Sequence, residues 1–293
     1  MIPLKDNIPN NRFPFVTVTL ILINVVAYLL AIRHGGSVWG GPDTQEVIKY
    51  GAIPKALVHP GLHCAEVVRT GPLGSGQPEM LCSNAVLAAN HTPPENTLPA
   101  WQTIFTAMFM HASFLHIAGN MLFLWIFGNN VEDSMGPVKY FFFYILGGIA
   151  ALALQVAIHP DDTAPTLGAS GAIAAVLGGY ILLYPRARVL TLIFIILFFT
   201  VIELPALVML GLWFVQQALF AAANLTDPTG TGGGVAYFAH IGGFAFGAAG
   251  LTSPGATGGV AYFAHIGGFL FGLATVKLLA TRRRQVPPRY PVY

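Results

Sequence analysis

Hydrophobic residues occur along this chain in long uninterrupted runs. The first run, Phe15 to Ile32, is followed directly by Arg33 and His34. A helix that rises about 1.5 Å per residue crosses a hydrocarbon layer of roughly 30 Å with a run of this length. A secretory signal peptide is the competing interpretation, but no small-x-small cleavage site follows the run. We therefore predict an uncleaved membrane-spanning helix here.

Further apolar runs predict additional spans. They lie near 113–129, 138–158, 169–184, 204–222, 234–251 and 258–280. Val189 to Ile202 is also apolar, but Glu203 and Pro205 separate it from the next run. Two full spans at this place would need more residues. We interpret Val189 to Ile202 as interfacial, or as part of one long tilted span.

Composition supports a membrane protein. The chain is 55% hydrophobic and 9% charged, with a mean hydropathy of +0.65, whereas soluble domains carry about 25% charged residues. The net charge is only +2, and the one basic run, Arg282 to Arg284, adjoins the last apolar run. Nucleic-acid binding is therefore not expected.

Basic residues favour the cytoplasmic side of a membrane and so predict the topology. They flank the runs at Lys5, Arg12, Lys139, Arg186, Arg188, Arg282, Arg283 and Arg284. Six spans with both termini inside agree with all of them. We predict an all-α polytopic membrane protein with a cytoplasmic N-terminus (1–14), a membrane domain (15–280) and a basic cytoplasmic tail (281–293). The long segment 34–100 then lies outside.

The only cysteines, Cys64 and Cys82, fall in this outer segment. An oxidising compartment would allow a disulfide between them. The alternative is a metal site formed by Cys64 with His59, His63 and His91, but that spacing matches no familiar ligand pattern. We expect neither a metal ion nor a cofactor.

The fourth span opens with TLGASGAIAAVLGGY, which places Ser170 at the outer N-terminus of a helix. Unpaired backbone N–H groups and a positive helix dipole at such an end can stabilise a developing oxyanion. The alternative is that Ser170 caps the helix and that Ser170, Ala174 and Gly178 form a packing face.

The second span begins HASFLHIAGN, with His111, His116 and Asn120 at its outer end. His116 and Asn120 are four residues apart and share one helix face. Polar groups inside a membrane are costly and are functional candidates by default. The alternative is that they only hydrogen-bond to neighbouring helices or loops.

One His-centred segment occurs twice. VAYFAHIGGFAFG, residues 235–247, returns as VAYFAHIGGFLFG, residues 260–272, with a single change of Ala245 to Leu270. A tandem duplication, or an error in the underlying sequence, explains this better than a solenoid, which needs about three repeats. Glycines after His240 and His265 allow close helix approach, so either ring could reach Ser170 as a general base.

Taken together, the patterns HxxxxHxxxN, GxSG and AHxxG resemble those of the rhomboid family of intramembrane serine proteases. They occur here at His111 to Asn120, at Gly168 to Gly171, and at Ala239 or Ala264. The resemblance implies a six-helix bundle, to which the duplicated segment adds a seventh span or a re-entrant hairpin.

The resemblance also implies roles. Ser170 would be the nucleophile, and His240 or His265 the base. His116, Asn120 and the Ser170 N–H would form the oxyanion hole. Structural roles would fall to the remaining motif residues, His111, Gly168 and Gly171. Some members place an aromatic residue under the histidine, where this chain has Ala174, so another group must orient the ring.

Length and charge favour His265 as the base. A helix over Gly258–Ala280 measures about 34 Å and delivers the terminal arginines to the cytoplasm, whereas the first copy measures about 27 Å before Thr252. Connectivity favours His240 instead, because the first copy directly follows span five through a short loop.

By the same resemblance, the substrates would be transmembrane proteins. Residues 101–110 would belong to a partly embedded first loop, and span five with the loop before the last span would form a substrate gate. We expect a site that faces the extracytoplasmic side of a bacterial plasma membrane. A disabled rhomboid-like protein that binds or escorts membrane proteins is the alternative, and a transporter is a third hypothesis.

Overall fold

Helices account for most of the computed structural model, which describes residues 1–68, 78–195, 198–226 and 261–281. The N-terminal part and the outer segment contain β1 (Ile2–Asp6), α1 (Phe15–Ala31), α2 (Thr44–Tyr50), α3 (Pro54–Val58), β2 (Cys64–Val68), β3 (Pro78–Cys82) and α4 (Asn84–Ala89). The rest contains α5 (Ala100–Thr106), α6 (Phe114–Phe123), α7 (Asn129–Met135), α8 (Pro137–Ile158), α9 (Ser170–Leu183), β4 (Arg188–Ile195), β5 (Phe198–Pro205), α10 (Ala206–Thr226) and α11 (Tyr262–Leu279).

Several helices match the predicted apolar runs. Within the described ranges, three are long and apolar enough to cross a membrane: Phe15–His34, Pro137–Ile158 and Tyr262–Leu279. A fourth candidate is the pair Ala100–Phe109 and Phe114–Met135, which bends by 78°. Ser170–Leu183 and Ala206–Ala222 are shorter apolar helices. The chain is thus a mostly helical polytopic membrane protein. The count of six spans stays a prediction, and the run 234–251 lies outside the described residues.

The segment Val189 to Ile202 is not part of a tilted helical span, and that interpretation was wrong. Strand β4 pairs antiparallel with β5, and β1 pairs with the other edge of β4. The segment is rich in β-branched and aromatic residues, which favour strands. Pairing also satisfies backbone groups within the hairpin. The fold is therefore mostly helical rather than all-α.

Helix α9 lies in the core of the bundle and packs against α8 and α11. All residues from Gly171 to Ile181 are buried. A Cβ atom at Gly268 would lie 2.0 Å from the carbonyl oxygen of Gly171, and one at Gly272 would lie 2.0 Å from that of Ala175. Backbone therefore touches backbone along α9 and α11, which is the close approach that small residues four apart permit.

Buried carboxylates tie the N-terminal residues to the end of the bundle that is remote from Ser170. Glu132 accepts hydrogen bonds from the backbone N–H groups of Val16 and Thr17 at 2.9 and 2.8 Å, and so caps α1. Asp6 accepts from Asn130 Nδ2 at 2.6 Å and from the Tyr180 hydroxyl. Burial raises the pKa of Asp6 to about 6. The 14 N-terminal residues thus contribute a strand to the fold.

The outer segment has a small core of its own. Ile48, Ile53 and Ala56 pack against Cys64 and Cys82. These cysteines face each other across β2 and β3 and are joined by a disulfide. Their sulfur atoms are therefore not available as thiolate ligands for a metal ion.

Candidate active site

Ser170 is the first residue of α9, directly after a turn at Gly168. Gly168 has a φ of 116°, and its N–H donates to the Ala107 carbonyl at 2.8 Å. A Cβ atom there would lie 2.8 Å from His116 Nε2 and 3.6 Å from Ser170 Oγ. Only glycine combines this left-handed backbone with the space left beside the two side chains. The GxSG pattern therefore reflects a steric requirement at its first position.

His265, in the first turn of α11, meets the serine. Its Nε2 lies 2.8 Å from Ser170 Oγ, and the residue is 2% exposed. The close packing of Gly268 on Gly171 holds α11 at the distance that this contact needs. A hydroxyl hydrogen-bonded to an imidazole is the arrangement of a serine nucleophile with its general base.

The other ring nitrogen of His265 contacts a residue that the sequence analysis did not single out. Nδ1 lies 2.8 Å from Oε1 of Gln217, a residue of α10 that is 1% exposed. The Trp213 ring, one turn earlier on α10, has its centroid 5.9 Å from that of His265. Ala174, which stands where some members of the resembled family have an aromatic residue, is fully buried. The sequence did contain a signal for this residue, because Gln217 is a polar side chain within an apolar run, and such side chains are costly in a membrane.

His116 lies on α6, which begins after the capping residue Ser113. The backbone N–H of Ala112 donates to His116 Nδ1 at 3.4 Å, so the ring proton resides on Nε2. This is the nitrogen that faces Gly168. His116 can therefore donate a hydrogen bond next to the nucleophile.

Asn120 is one turn further along α6 and is 6% exposed. Within the described part of the chain, its Nδ2 is buried without a hydrogen-bond partner. Buried amide groups are normally bonded, so this N–H group is free to donate to a further acceptor. Like the first backbone N–H groups of α9, it is a candidate donor to a developing negative charge.

The remaining motif residues shape the site. His111 is fully buried, with Nδ1 3.3 Å from the Phe109 carbonyl and its ring 5.0 Å from that of His116. A Cβ atom at Gly171 would lie 2.6 Å from Ala151 Cβ. Among the described residues, no group of three His, Cys, Asp or Glu side chains could hold a metal ion.

His240, the other candidate base, lies outside the described residues.

The family of this chain follows from a match to a known domain. A family model described as "Rhomboid domain" matches residues 99–253, just over half of the 293 residues. The chain therefore belongs to the rhomboid family, whose members include intramembrane serine proteases. The matched range includes His240 and stops before His265.

Named relatives agree with this membership. The chain is 34% identical over 167 residues to "Rhomboid protease GluP" of Bacillus subtilis, which covers 55% of this chain and 29% of that protein. It is 34% identical over 96 residues to "Rhomboid protein 1, mitochondrial" of Saccharomyces cerevisiae, covering 31% of this chain and 28% of that protein. It is 36% identical over 78 residues to "Rhomboid-like protein 11, chloroplastic" of Arabidopsis thaliana, covering 27% of this chain and 28% of that protein.

The aligned part spans less than a third of each of these three relatives. One of them is from a bacterium, and the names of the other two give a mitochondrial and a chloroplast location. The chain is an integral membrane protein by its helices and family, but the relatives do not support a bacterial origin in particular.

Proposed function

We propose that this protein is an intramembrane serine endopeptidase that hydrolyses peptide bonds in or near transmembrane segments of membrane-anchored proteins. The observation that carries the proposal is the 2.8 Å contact between Ser170 Oγ and His265 Nε2. A hydroxyl and a buried imidazole in hydrogen-bond contact can pass a proton between them, as a nucleophile and its general base must.

In the proposed reaction, Ser170 Oγ attacks the scissile carbonyl carbon while His265 Nε2 takes the hydroxyl proton. The oxyanion receives hydrogen bonds from His116 Nε2–H, from Asn120 Nδ2–H and from the backbone N–H of Ser170. As the C–N bond breaks, His265 returns the proton to the leaving amine. Water then attacks the acyl carbon and loses a proton to His265. As the acyl–oxygen bond breaks, His265 returns this proton to Ser170 Oγ and the carboxylic acid product leaves.

The choice of His265 over His240 rests on its observed contact and on topology. A helix that begins with His265 at the outer end and finishes at Leu279 carries the following arginines to the cytoplasmic side. On this topology, residues 1–14 and 281–293 are cytoplasmic and 34–100 are extracytoplasmic. Ser170 and its partners then lie at the outer end of the bundle.

Transmembrane protein substrates would enter beside α10. This helix exposes large apolar side chains, including Leu212, Val215 and Leu219. Such a face suits contact with lipid or with another transmembrane helix. The loop between α10 and α11, which was also assigned to the gate, lies outside the described residues. A bacterial plasma membrane as the host membrane stays a prediction from the sequence.

The decisive experiment is cleavage of a transmembrane substrate in liposomes by wild type, Ser170→Ala, His265→Ala and His240→Ala. Circular dichroism and size-exclusion chromatography check folding of each variant. A fluorophosphonate probe supplies a second readout, because it labels only an activated serine. We expect cleavage and labelling by wild type and His240→Ala, and neither by Ser170→Ala or His265→Ala.

A folded wild type that neither cleaves several substrates nor reacts with the probe would overturn the proposal. The protein would then be a member of the family that binds or escorts membrane proteins without cutting them. Loss of activity in His240→Ala alone would keep the protease and reassign its base to the first copy of the repeat.

A further inference from the structure

We infer that Gln217 is a positioning residue that holds the imidazole of His265 in its catalytic orientation and tautomer, so that a neutral amide, and not an acid, supports the Ser-His pair. This inference rests on the proposed protease function. It rests equally on the geometry of Gln217, which the motif analysis did not use. The two can therefore be tested separately.

The contact joins two elements that are distant in sequence. His265 Nδ1 and Gln217 Oε1 lie 2.8 Å apart and are 48 positions apart along the chain. Both residues are almost fully buried, at 2% and 1% exposure. A buried hydrogen bond without competing water fixes the ring plane more firmly than an exposed one.

The contact also selects the tautomer. An amide oxygen can only accept, so Oε1 requires the proton of His265 on Nδ1. Nε2 is then left with a lone pair, directed at the Ser170 hydroxyl 2.8 Å away. This is the form that can take a proton from serine. The opposite tautomer would present an N–H to that hydroxyl and could not act as a base.

The protonated form of His265 also needs a hydrogen-bond acceptor at Nδ1. When His265 becomes an imidazolium, both ring nitrogens are donors. The Gln217 oxygen continues to accept from Nδ1–H. If the amide were turned so that its NH₂ group faced Nδ1, two donors would meet and no hydrogen bond would form. The amide oxygen therefore stabilises both the resting and the protonated ring.

A neutral acceptor suits the location. Three uncharged groups of the described residues contact the ring: the Ser170 hydroxyl, the Gln217 amide and the Trp213 indole. A carboxylate in the same place would have to lose its hydration shell, which is costly in a buried site. Trp213 and Gln217 are four residues apart and share one face of α10, so one helix face holds the ring from two sides.

Three variants test the inference: Gln217→Leu, Gln217→Glu and the matched control Gln216→Leu. Gln216 is the adjacent, half-buried residue, and about 100° of helix rotation turns it away from the face that meets His265. Initial rates of substrate cleavage in liposomes give kcat and KM over a range of pH. Fluorophosphonate labelling reports the reactivity of Ser170 without a protein substrate.

We expect Gln217→Leu to lower kcat about 10- to 100-fold with little change in KM, as for other groups that orient a histidine. The acid limb of the pH profile should move to lower pH, because the imidazolium loses its acceptor. Gln217→Glu should recover most of the rate and move the acid limb to higher pH, because a carboxylate stabilises the imidazolium. Gln216→Leu should keep the wild-type acid limb and the wild-type rate of fluorophosphonate labelling, because Gln216 does not contact the ring.

Wild-type kcat and an unmoved acid limb in both Gln217 variants would overturn the inference while leaving the protease intact. Equal loss in Gln217→Leu and Gln217→Glu with no shift of the acid limb would also overturn it, since Gln217 would then only support packing. Absence of Ser170-dependent cleavage in wild type would instead remove the proposed function itself. If Gln217→Leu does not fold, the pH profile of Gln217→Glu still decides.

Discussion

Helices α10 and α11 each bring one buried polar side chain to the site, yet they pack very differently. Along α11, glycines lie against the backbone of α9, with Cβ positions at Gly268 and Gly272 only 2.0 Å from carbonyl oxygens. Along α10, Gly211 has open space at the Cβ position, and Leu219 is 66% exposed. The Ser170–His265 distance is therefore fixed by backbone packing, whereas the Gln217 contact depends on a helix at the edge of the bundle.

The largest expected effect separates the two copies of the repeated helix. His265→Ala should lower turnover by roughly 1000-fold or more, because the nucleophile loses its base. His240→Ala should leave turnover near that of wild type. Both substitutions remove the same side chain from the same local sequence, so each serves as the control for the other. Cleavage in liposomes measures both, and equal loss in the two variants would contradict the assignment.

The next effect concerns the oxyanion donors. Asn120→Ala should lower kcat about 100- to 1000-fold, the usual cost of one lost donor. Asn24→Ala is the structural control, because Asn24 is also fully buried but donates to Leu20 of its own helix at 2.7 Å. That control should change stability without changing kcat. A kcat for Asn120→Ala equal to that of Asn24→Ala would exclude Asn120 from the oxyanion hole.

A smaller effect on stability tests the packing contrast directly. Gly268→Ala should destabilise the protein by about 1–3 kcal/mol, as overpacking does, and should reduce cleavage by displacing His265. Gly211→Ala should be neutral or stabilising by about 0.5–1 kcal/mol, because the site is open and helix entropy favours alanine. Thermal unfolding in detergent micelles compares the two. A lower melting temperature for Gly211→Ala than for Gly268→Ala would contradict the tighter packing of α11.

The smallest effect is a pH dependence at the opposite end of the bundle. Burial raises the pKa of Asp6 from 3.8 to about 6, so folding favours its protonated form. The stabilising contribution of protonated Asp6 is then fully present below about pH 4 and is lost as the pH rises through about 6. Asp6→Asn should flatten this part of the profile, since the amide keeps an oxygen acceptor without ionising. An unchanged slope in Asp6→Asn would assign the dependence to another group.

Much of the helical framework could be predicted from the sequence. Long apolar runs predicted helices at 138–158 and 169–184, and the structure has them at Pro137–Ile158 and Ser170–Leu183. Gly136, with a φ of 84°, and Pro137 set the boundary between α7 and α8, as a helix stop followed by a helix start does. These features depend on residues close together in the chain.

The hairpin of β4 and β5 could not be predicted from hydropathy. An apolar run between two spans is compatible with a helix or a strand when judged by hydropathy alone. The pairing of β4 with β1 joins residues separated by more than half of the chain, for example Ile2 and Leu192. Contacts of that kind leave no periodic trace in either segment.

By itself the sequence determined the class of protein, the approximate positions of most helices and the candidates Ser170, His116, Asn120, His240 and His265. Hydropathy and short motifs depend on residues that are close together in the chain, so they can be recognised from the sequence alone. The two AHIGG copies are identical in those properties, and hydrophobic pattern could not choose between them. Only the tertiary structure brought His265 to Ser170 and set Gln217 behind it, because these contacts depend on how three helices pack.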